Sequence, residues 1–152
     1  MLIKTFNIKQ ESKTKFLAEK LSSICNKGDI LAISGEMGAG KTTFIKYFIK
    51  KISKIKNIPS PSYNIMLSYE TEKFTIYHMD VWRLKNCEEA LSLGITDMFD
   101  KSIFLIEWAD KIQSILPSNS LKLFIDNINN KKVLRLEGNK KWNMRLKNLI
   151  DS

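Results

Sequence analysis

Histidine occurs once in this 152-residue chain, cysteine twice, proline three times and arginine three times. Cys25 and Cys87 stand 62 positions apart with no C-x-x-C, and His78 is the only imidazole. A structural zinc takes three or four ligands, usually at short local spacing, so none is expected. The cysteines read instead as reduced, partly buried hydrophobes of a cytosolic chain. No apolar run exceeds four residues, Ile30–Ile33 and Ile103–Ile106 being the longest, which excludes a bilayer span. Met1–Gln10 carries Lys4 and Lys9 and lacks the apolar block of a signal peptide. The expected compartment is the cytoplasm, with no membrane partner.

What is present suits one soluble domain spanning 1–152. The hydrophobic fraction is 43% and the charged fraction 27%, which excludes whole-chain disorder and collagen-like structure. A chain of this length can bury roughly 68–70% of its unfolded surface, enough for one core. Lys and Arg exceed Asp and Glu by 25 − 16 = +9. Such an excess can draw a protein to nucleic acid, acidic proteins or anionic lipid. Of the basic residues 22 are lysines, and Lys, Ile and Asn together make 54 of 152 positions. That skew reads mainly as a solvated lysine surface, since base-reading sites lean on arginine.

Hydrophobic spacing outlines the elements. Leu2–Ile8 suits a first strand, and Glu11–Cys25 repeats Leu17, Leu21 and Ile24 at helical spacing. Ile30–Ile33 and Ile103–Ile106 are all-apolar strands buried on both faces. A helix from Lys41 to Lys54 carries an apolar stripe of Phe44, Ile45, Phe48, Ile52 and Ile55. Tyr63–Tyr69 with Phe74–Val81, and Leu121–Asp126 with Val133–Glu137, read as hairpins. Short helices are expected over Glu88–Leu93 and Ala109–Leu116, and a closing helix around Trp142, Leu146 and Leu149. Alternating strands and helices with added hairpins predict an α/β fold, three layers about a mixed, mainly parallel sheet.

Gly35-Glu36-Met37-Gly38-Ala39-Gly40-Lys41-Thr42 matches G-x-x-x-x-G-K-[ST] in full, after an apolar strand and before an amphipathic helix. Glycines let such a loop bring its N–H groups around an anion, and the helix adds its positive end. Lys41 would reach the β- and γ-phosphates, and the Thr42 hydroxyl would ligate Mg²⁺. Glu107 ends the apolar run Ile103–Ile106 and would stand at the carboxyl edge of the sheet, where it could hold the metal or orient water. Asp80 is a second candidate for metal or water, or an ion-pair partner of Arg83. By strand alternation His78 shares its face, where a lone histidine is expected to satisfy a local hydrogen bond. Ser60-Pro61-Ser62 offers two hydroxyls on a stiff loop, placed in sequence like a γ-phosphate switch. Asn26-Lys27-Gly28-Asp29 has the spacing of a guanine reader, but roughly 16 Å of strand separates it from the phosphate loop. It reads as a helix-stop turn.

These residues together resemble the TsaE (YjeE) family, bacterial ATPases required for threonylcarbamoyladenosine modification of tRNA. The likeness runs over about residues 2–137. It rests on Gly35–Thr43, Ser60-Pro61-Ser62-Tyr63, His78-Met79-Asp80-Val81-Trp82-Arg83-Leu84 and Ile106-Glu107-Trp108, in the family's order, with Glu88-Glu89 and Leu93-Gly94-Ile95 fitting between. Glu36-Met37 stands where Asp-Leu is usual, Ser62 for Thr and Trp82 for Tyr. The resemblance implies that Gly35, Glu36, Met37, Gly38, Ala39, Gly40, Lys41, Thr42 and Thr43 bind ATP, that Thr42 and Glu107 hold Mg²⁺, and that Lys41, Asp80 and Glu107 are catalytic. It implies a switch at Ser60 and Ser62, Trp108 packed beside the nucleotide, and Glu11 and Lys132 near the nucleoside end. It further implies a weak ATPase working with the TsaB–TsaD pair, with tRNA reached through that complex. Two other readings remain open on the residues. One is a small-molecule kinase, for which no arginine-bearing lid is visible. The other is a nucleotide-gated tRNA- or protein-binding module.

Overall fold

The computed structural model describes residues 1–61 and 64–150. The order along the chain is β1 (Leu2–Asn7), α1 (Glu11–Ile24), β2 (Ile30–Gly35), α2 (Lys41–Ser53), β3 (Met66–Glu70), β4 (Thr75–Asp80), α3 (Cys87–Leu91), β5 (Ser102–Glu107), β6 (Leu121–Ile128), β7 (Lys131–Glu137) and α4 (Lys140–Ile150). Short 3₁₀ segments cover Ile95–Asp97 and Ala109–Ile115. One seven-stranded sheet has the order β1-β7-β6-β2-β5-β4-β3. Its centre, β6-β2-β5-β4, is parallel. Antiparallel strands close both sides.

The two apolar runs form β2 and β5 because each is covered on both faces. Leu31 and Ile33 of β2, with Ile103 and Leu105 of β5, pack in one cluster with buried residues of α1, α2 and α4. Ile30, Ala32, Phe104 and Ile106 pack on the opposite side with Ala90 of α3 and Ile112. The result is three layers. Side-chain parity is therefore set for the whole parallel core. In β4, Ile76 joins the α2 side and Met79 the other. His78 and Asp80 share the parity of Ile76, and Glu107 that of Leu105, so all three belong to the α2 side.

Several boundaries differ from those the sequence suggests. The stripe of α2 is Phe44, Ile45, Phe48 and Ile49. The helix stops at Ser53, where Lys54 turns left-handed (φ 63°), so Ile55 falls beyond the stripe and is 39% exposed. Strand β3 starts at Met66, after a turn with Ile65 at φ 63°; Ser62 and Tyr63 lie outside the described residues. The segment after β5 is a kinked 3₁₀ run rather than an α-helix, with Ile112 at φ −122°. The β6–β7 strands run closer to their turn than their apolar residues suggest. Asn129 and Asn130, at φ 53° and 63°, make a two-residue turn of the kind that hairpin twist favours.

The Asn26–Asp29 turn lies at the amino edge of β2, opposite the glycine-rich loop. The Asp29 carboxylate accepts the Asn26 N–H at 2.7 Å and pairs with the Arg145 guanidinium of α4 at 2.7 Å. Arg145 also donates to the Ile24 carbonyl. These bonds, with the Trp142 indole N–H donating to the Asn119 carbonyl at 2.7 Å, pin α4 to the body. Phe48, fully buried between α2 and the sheet, should report the integrity of this core. Phe48→Ala is expected to cost about 3–5 kcal/mol, measurable as a lowered urea midpoint with unchanged m-value.

Candidate functional site

The loop leaving β2 depends on two glycines for different reasons. At Gly35 (φ +154°) an added Cβ would stand 2.3 Å from the Ile125 carbonyl oxygen of β6, so no side chain fits where the chain leaves the sheet. Gly40 (φ +110°) is the N-cap of α2 and supplies no side-chain cap. The first-turn N–H groups of α2 thus face the loop without a side-chain acceptor from the cap, an arrangement that favours an anion.

Next to that turn, Glu107 is only 3% exposed at the end of β5. A buried carboxylate requires partners, and among the described residues it has two. The Thr42 hydroxyl donates to its Oε1 at 2.6 Å, and His78 Nε2 lies 2.7 Å from its Oε2. Asp80 is opposite Glu107 in the β4–β5 register and accepts the Trp82 N–H at 2.9 Å. Burial raises the Asp80 pKa above the ordinary carboxylate value. The Trp82 N–H works against that rise, and the negative charge of Glu107 adds to it.

The Lys41 ammonium is held inside the loop, donating to the carbonyls of Gly35 and Glu36 at 2.6 and 2.7 Å. Burial lowers its pKa, while the carboxylates of Glu107 and Asp80 oppose that shift. It lies 3.9 Å from the ring centre of Trp108, whose ring packs tilted by 40° against Trp82 at 4.3 Å, and the Lys111 ammonium lies 4.4 Å from the Trp82 ring centre. Trp108 has left-handed backbone (φ 59°), which turns the chain sharply after Glu107. An open cleft of about 470 Å³ is lined by Met37, Gly38, Gly40–Thr43, Asp80, Trp82, Arg83, Glu107 and Trp108. A smaller recess of about 90 Å³ adjoins it through Gly40 and Thr43, and is lined also by Glu11 and Lys132. The Asn129–Asn130 hairpin delivers Lys132 to the loop, where its ammonium would be 3.0 Å from a Cβ at Gly40. Glu11 accepts the Tyr47 hydroxyl at 2.6 Å.

Of the residues singled out from sequence, Met37, Gly38, Gly40, Lys41, Thr42, Thr43, Asp80, Glu107 and Trp108 converge on one cleft, with Arg83. Glu11 and Lys132 flank it. Gly35 and Glu36 contribute backbone carbonyls to Lys41, Ala39 is a buried turn residue, and the Met37 side chain is 71% exposed. Ser60 is exposed and lies outside the cleft lining; Ser62 is outside the described residues. Sequence reasoning missed His78 as the partner of Glu107. The signal was available in strand parity, which places positions 78, 80 and 107 on one face once β4 and β5 are known to be neighbours. It also missed Lys111.

Fold and site define a three-layer α/β domain about a mixed seven-stranded sheet, with a glycine-rich loop at the carboxyl edge of a central parallel strand. The sequence pattern of the family described as "Threonylcarbamoyl adenosine biosynthesis protein TsaE" matches residues 8–135. The tRNA threonylcarbamoyladenosine biosynthesis protein TsaE of Rickettsia conorii is 34% identical over 146 residues, covering 95% of this chain and 83% of that one. Its namesake in Bacillus subtilis is 34% identical over 114 residues, covering 74% and 71%. The crystal structure of Bacillus subtilis YdiB matches with a TM-score of 0.81 and 26% identity, over 99% of this chain and 97% of that one. The chain belongs to the TsaE family of threonylcarbamoyladenosine biosynthesis.

Two outcomes follow from the site geometry. Gly35→Ala must displace the β6 backbone, and should lower stability by about 1–3 kcal/mol or more in chemical denaturation, whereas Met37→Ala should leave it unchanged. For Asp80, a folded-state pKa above the unfolded one means that ionisation opposes folding above the folded pKa. The penalty fades as pH falls through that value and is absent below the unfolded pKa. Asp80→Asn should therefore raise the melting temperature at neutral pH, and the gain should vanish in acid; a gain that persists in acid would contradict the burial effect.

Proposed function

We propose that this chain is the ATP-binding and ATP-hydrolysing component of the threonylcarbamoyladenosine machinery, a weak Mg²⁺-dependent ATPase stimulated by the TsaB–TsaD pair. The observation that supports it most is the 2.6 Å hydrogen bond joining Thr42 of the glycine-rich loop to Glu107 of β5. It puts a hydroxyl and a carboxylate together beside the start of α2. Such hard oxygen donors suit Mg²⁺, which takes one or two protein oxygens and completes its shell with phosphates and water. An ion held there would supply neutralisation of the nucleotide's phosphate charge.

The protein's own groups divide the remaining work. Amides at the start of α2 hold phosphate oxygens. Lys41 exchanges the Gly35 and Glu36 carbonyls for the β- and γ-phosphates. Thr42 and Glu107 would present oxygens to the metal, and Glu107, seconded by Asp80, orients the water that attacks the γ-phosphorus in line as the bond to the β–γ bridging oxygen breaks and ADP leaves. The recess with Glu11, Thr43 and Lys132 receives the nucleoside end, Trp108 packs beside the nucleotide, and Ser60 and Ser62 form the switch segment. A partner-supplied cation can add 10³–10⁵ in rate in such enzymes. Arg83 is the arginine that this chain itself brings to the cleft, which accords with a site completed by its partner. Contact with tRNA is through the assembled complex, and the working compartment is the cytoplasm.

ATP turnover of the wild type, Lys41→Ala and Glu107→Ala, each with and without TsaB–TsaD, tests this reading. Both variants should lose stimulated turnover by about 10²–10³-fold, the scale of removing one group that stabilises transition-state charge. Undiminished turnover in either would overturn its assignment. Turnover of ~1–100 s⁻¹ by the wild type alone, the ordinary range of kinases, would overturn partner dependence.

A further inference from the structure

We infer that His78 is a positioning residue: its Nε2–H donates to Glu107 Oε2 and holds that carboxylate in the orientation from which Oε1 meets Thr42 and the metal. The inference rests on the proposed metal-dependent nucleotide site and adds a residue to it. The two partners of Glu107 among the described residues are not equivalent. Thr42 would turn its oxygen toward Mg²⁺ on binding nucleotide, whereas His78 lies on β4, on the far side of the carboxylate from the loop, and has no such second task.

His78 is fully buried in the middle of a parallel strand pair. It is opposite Leu105, two positions before Asp80 meets Glu107 in register. The imidazole thus reaches diagonally across the sheet face to the carboxylate. Its Nδ1 is buried with no hydrogen-bond partner among the described residues. The 2.7 Å contact with Glu107 is therefore the hydrogen bond that orients the ring, and equally the one that fixes the carboxylate plane. Asp80 is the register partner of Glu107, and neighbouring carboxylates repel, which gives such an anchor something to oppose. An imidazole donor on Oε2 offsets that repulsion and leaves Oε1 aimed at the loop. Outer hydrogen-bonding partners of metal-ligating groups commonly act in this way.

The test is calorimetric binding of ADP with and without Mg²⁺ to the wild type, His78→Gln, His78→Asn and His78→Leu, with thermal unfolding of each. The Gln amide reaches about as far as Nε2 and the Asn amide stops near Nδ1, so the two share chemistry and differ in reach. We expect the Mg²⁺-dependent gain in ADP affinity to fall by about 10–100-fold in His78→Leu and His78→Asn, with Mg²⁺-free affinity unchanged, and His78→Gln to retain most of the gain. A purely structural histidine would instead lower melting temperature and Mg²⁺-free affinity together. A full Mg²⁺ gain in His78→Leu, or a Gln variant no better than Asn, overturns the inference. If His78→Leu shows no cooperative unfolding, the Gln–Asn contrast decides alone. A wild type without any Mg²⁺ gain overturns the metal-site reading itself, and the inference with it.

Discussion

A carboxylate taken almost wholly out of water at the end of a central strand is the constraint around which this site is organised. Burying a carboxylate there without partners would cost heavily in desolvation. Compensation comes from opposite sides: a hydroxyl from the first turn of α2 and an imidazole from β4. The two bonds tie together the glycine-rich loop, the strand that follows α3 and the strand beside it. Disturbing any one of the three elements would leave a buried charge underserved, which couples the local chemistry to the global fold.

Parity in the parallel core makes that coupling possible. Leu31, Ile33, Ile103 and Leu105 face α2 because their neighbours in sequence face the other layer. One more alternate step along β5 puts Glu107 at the edge of the same face. One step along β4 from Ile76 gives His78, and the next gives Asp80. The hydrophobic pattern that stabilises the sheet thus also aims the polar residues at its carboxyl edge. Neighbouring strands end at nearly the same level, so three polar groups reach one place without any long loop.

The loop shows a complementary economy. Lys41 occupies carbonyls of its own loop and lies against Trp108, so the buried ammonium is satisfied in the protein itself. Placing phosphates there would exchange these contacts rather than create a charge site from nothing. The run of contacts Lys41–Trp108–Trp82–Lys111 leads from that interior ammonium to the exposed Trp82. It lets an exposed tryptophan and a half-buried one share the charge field of two lysines.

Much of this was legible in the chain itself. Eight positions from Gly35 to Thr42 read as an anion loop, because the demands of that loop are local: a glycine where no Cβ fits, two more at positive φ, then a lysine and a threonine at the start of a helix. The two apolar runs declare central strands for an equally local reason, and Glu107 inherits its place at a strand end. Together with the motifs at 60–63, 78–84 and 106–108, they pointed to the family. What sequence could not decide was which strands are neighbours. The order β2-β5-β4 is a long-range outcome of packing, and only that order puts His78 beside Glu107. The same holds for Lys132, carried to Gly40 by a hairpin whose two-asparagine turn is tighter than its polar composition suggests. Periodicity within one segment fixes which way a side chain points; the partner it meets is chosen by where the other segments come to rest.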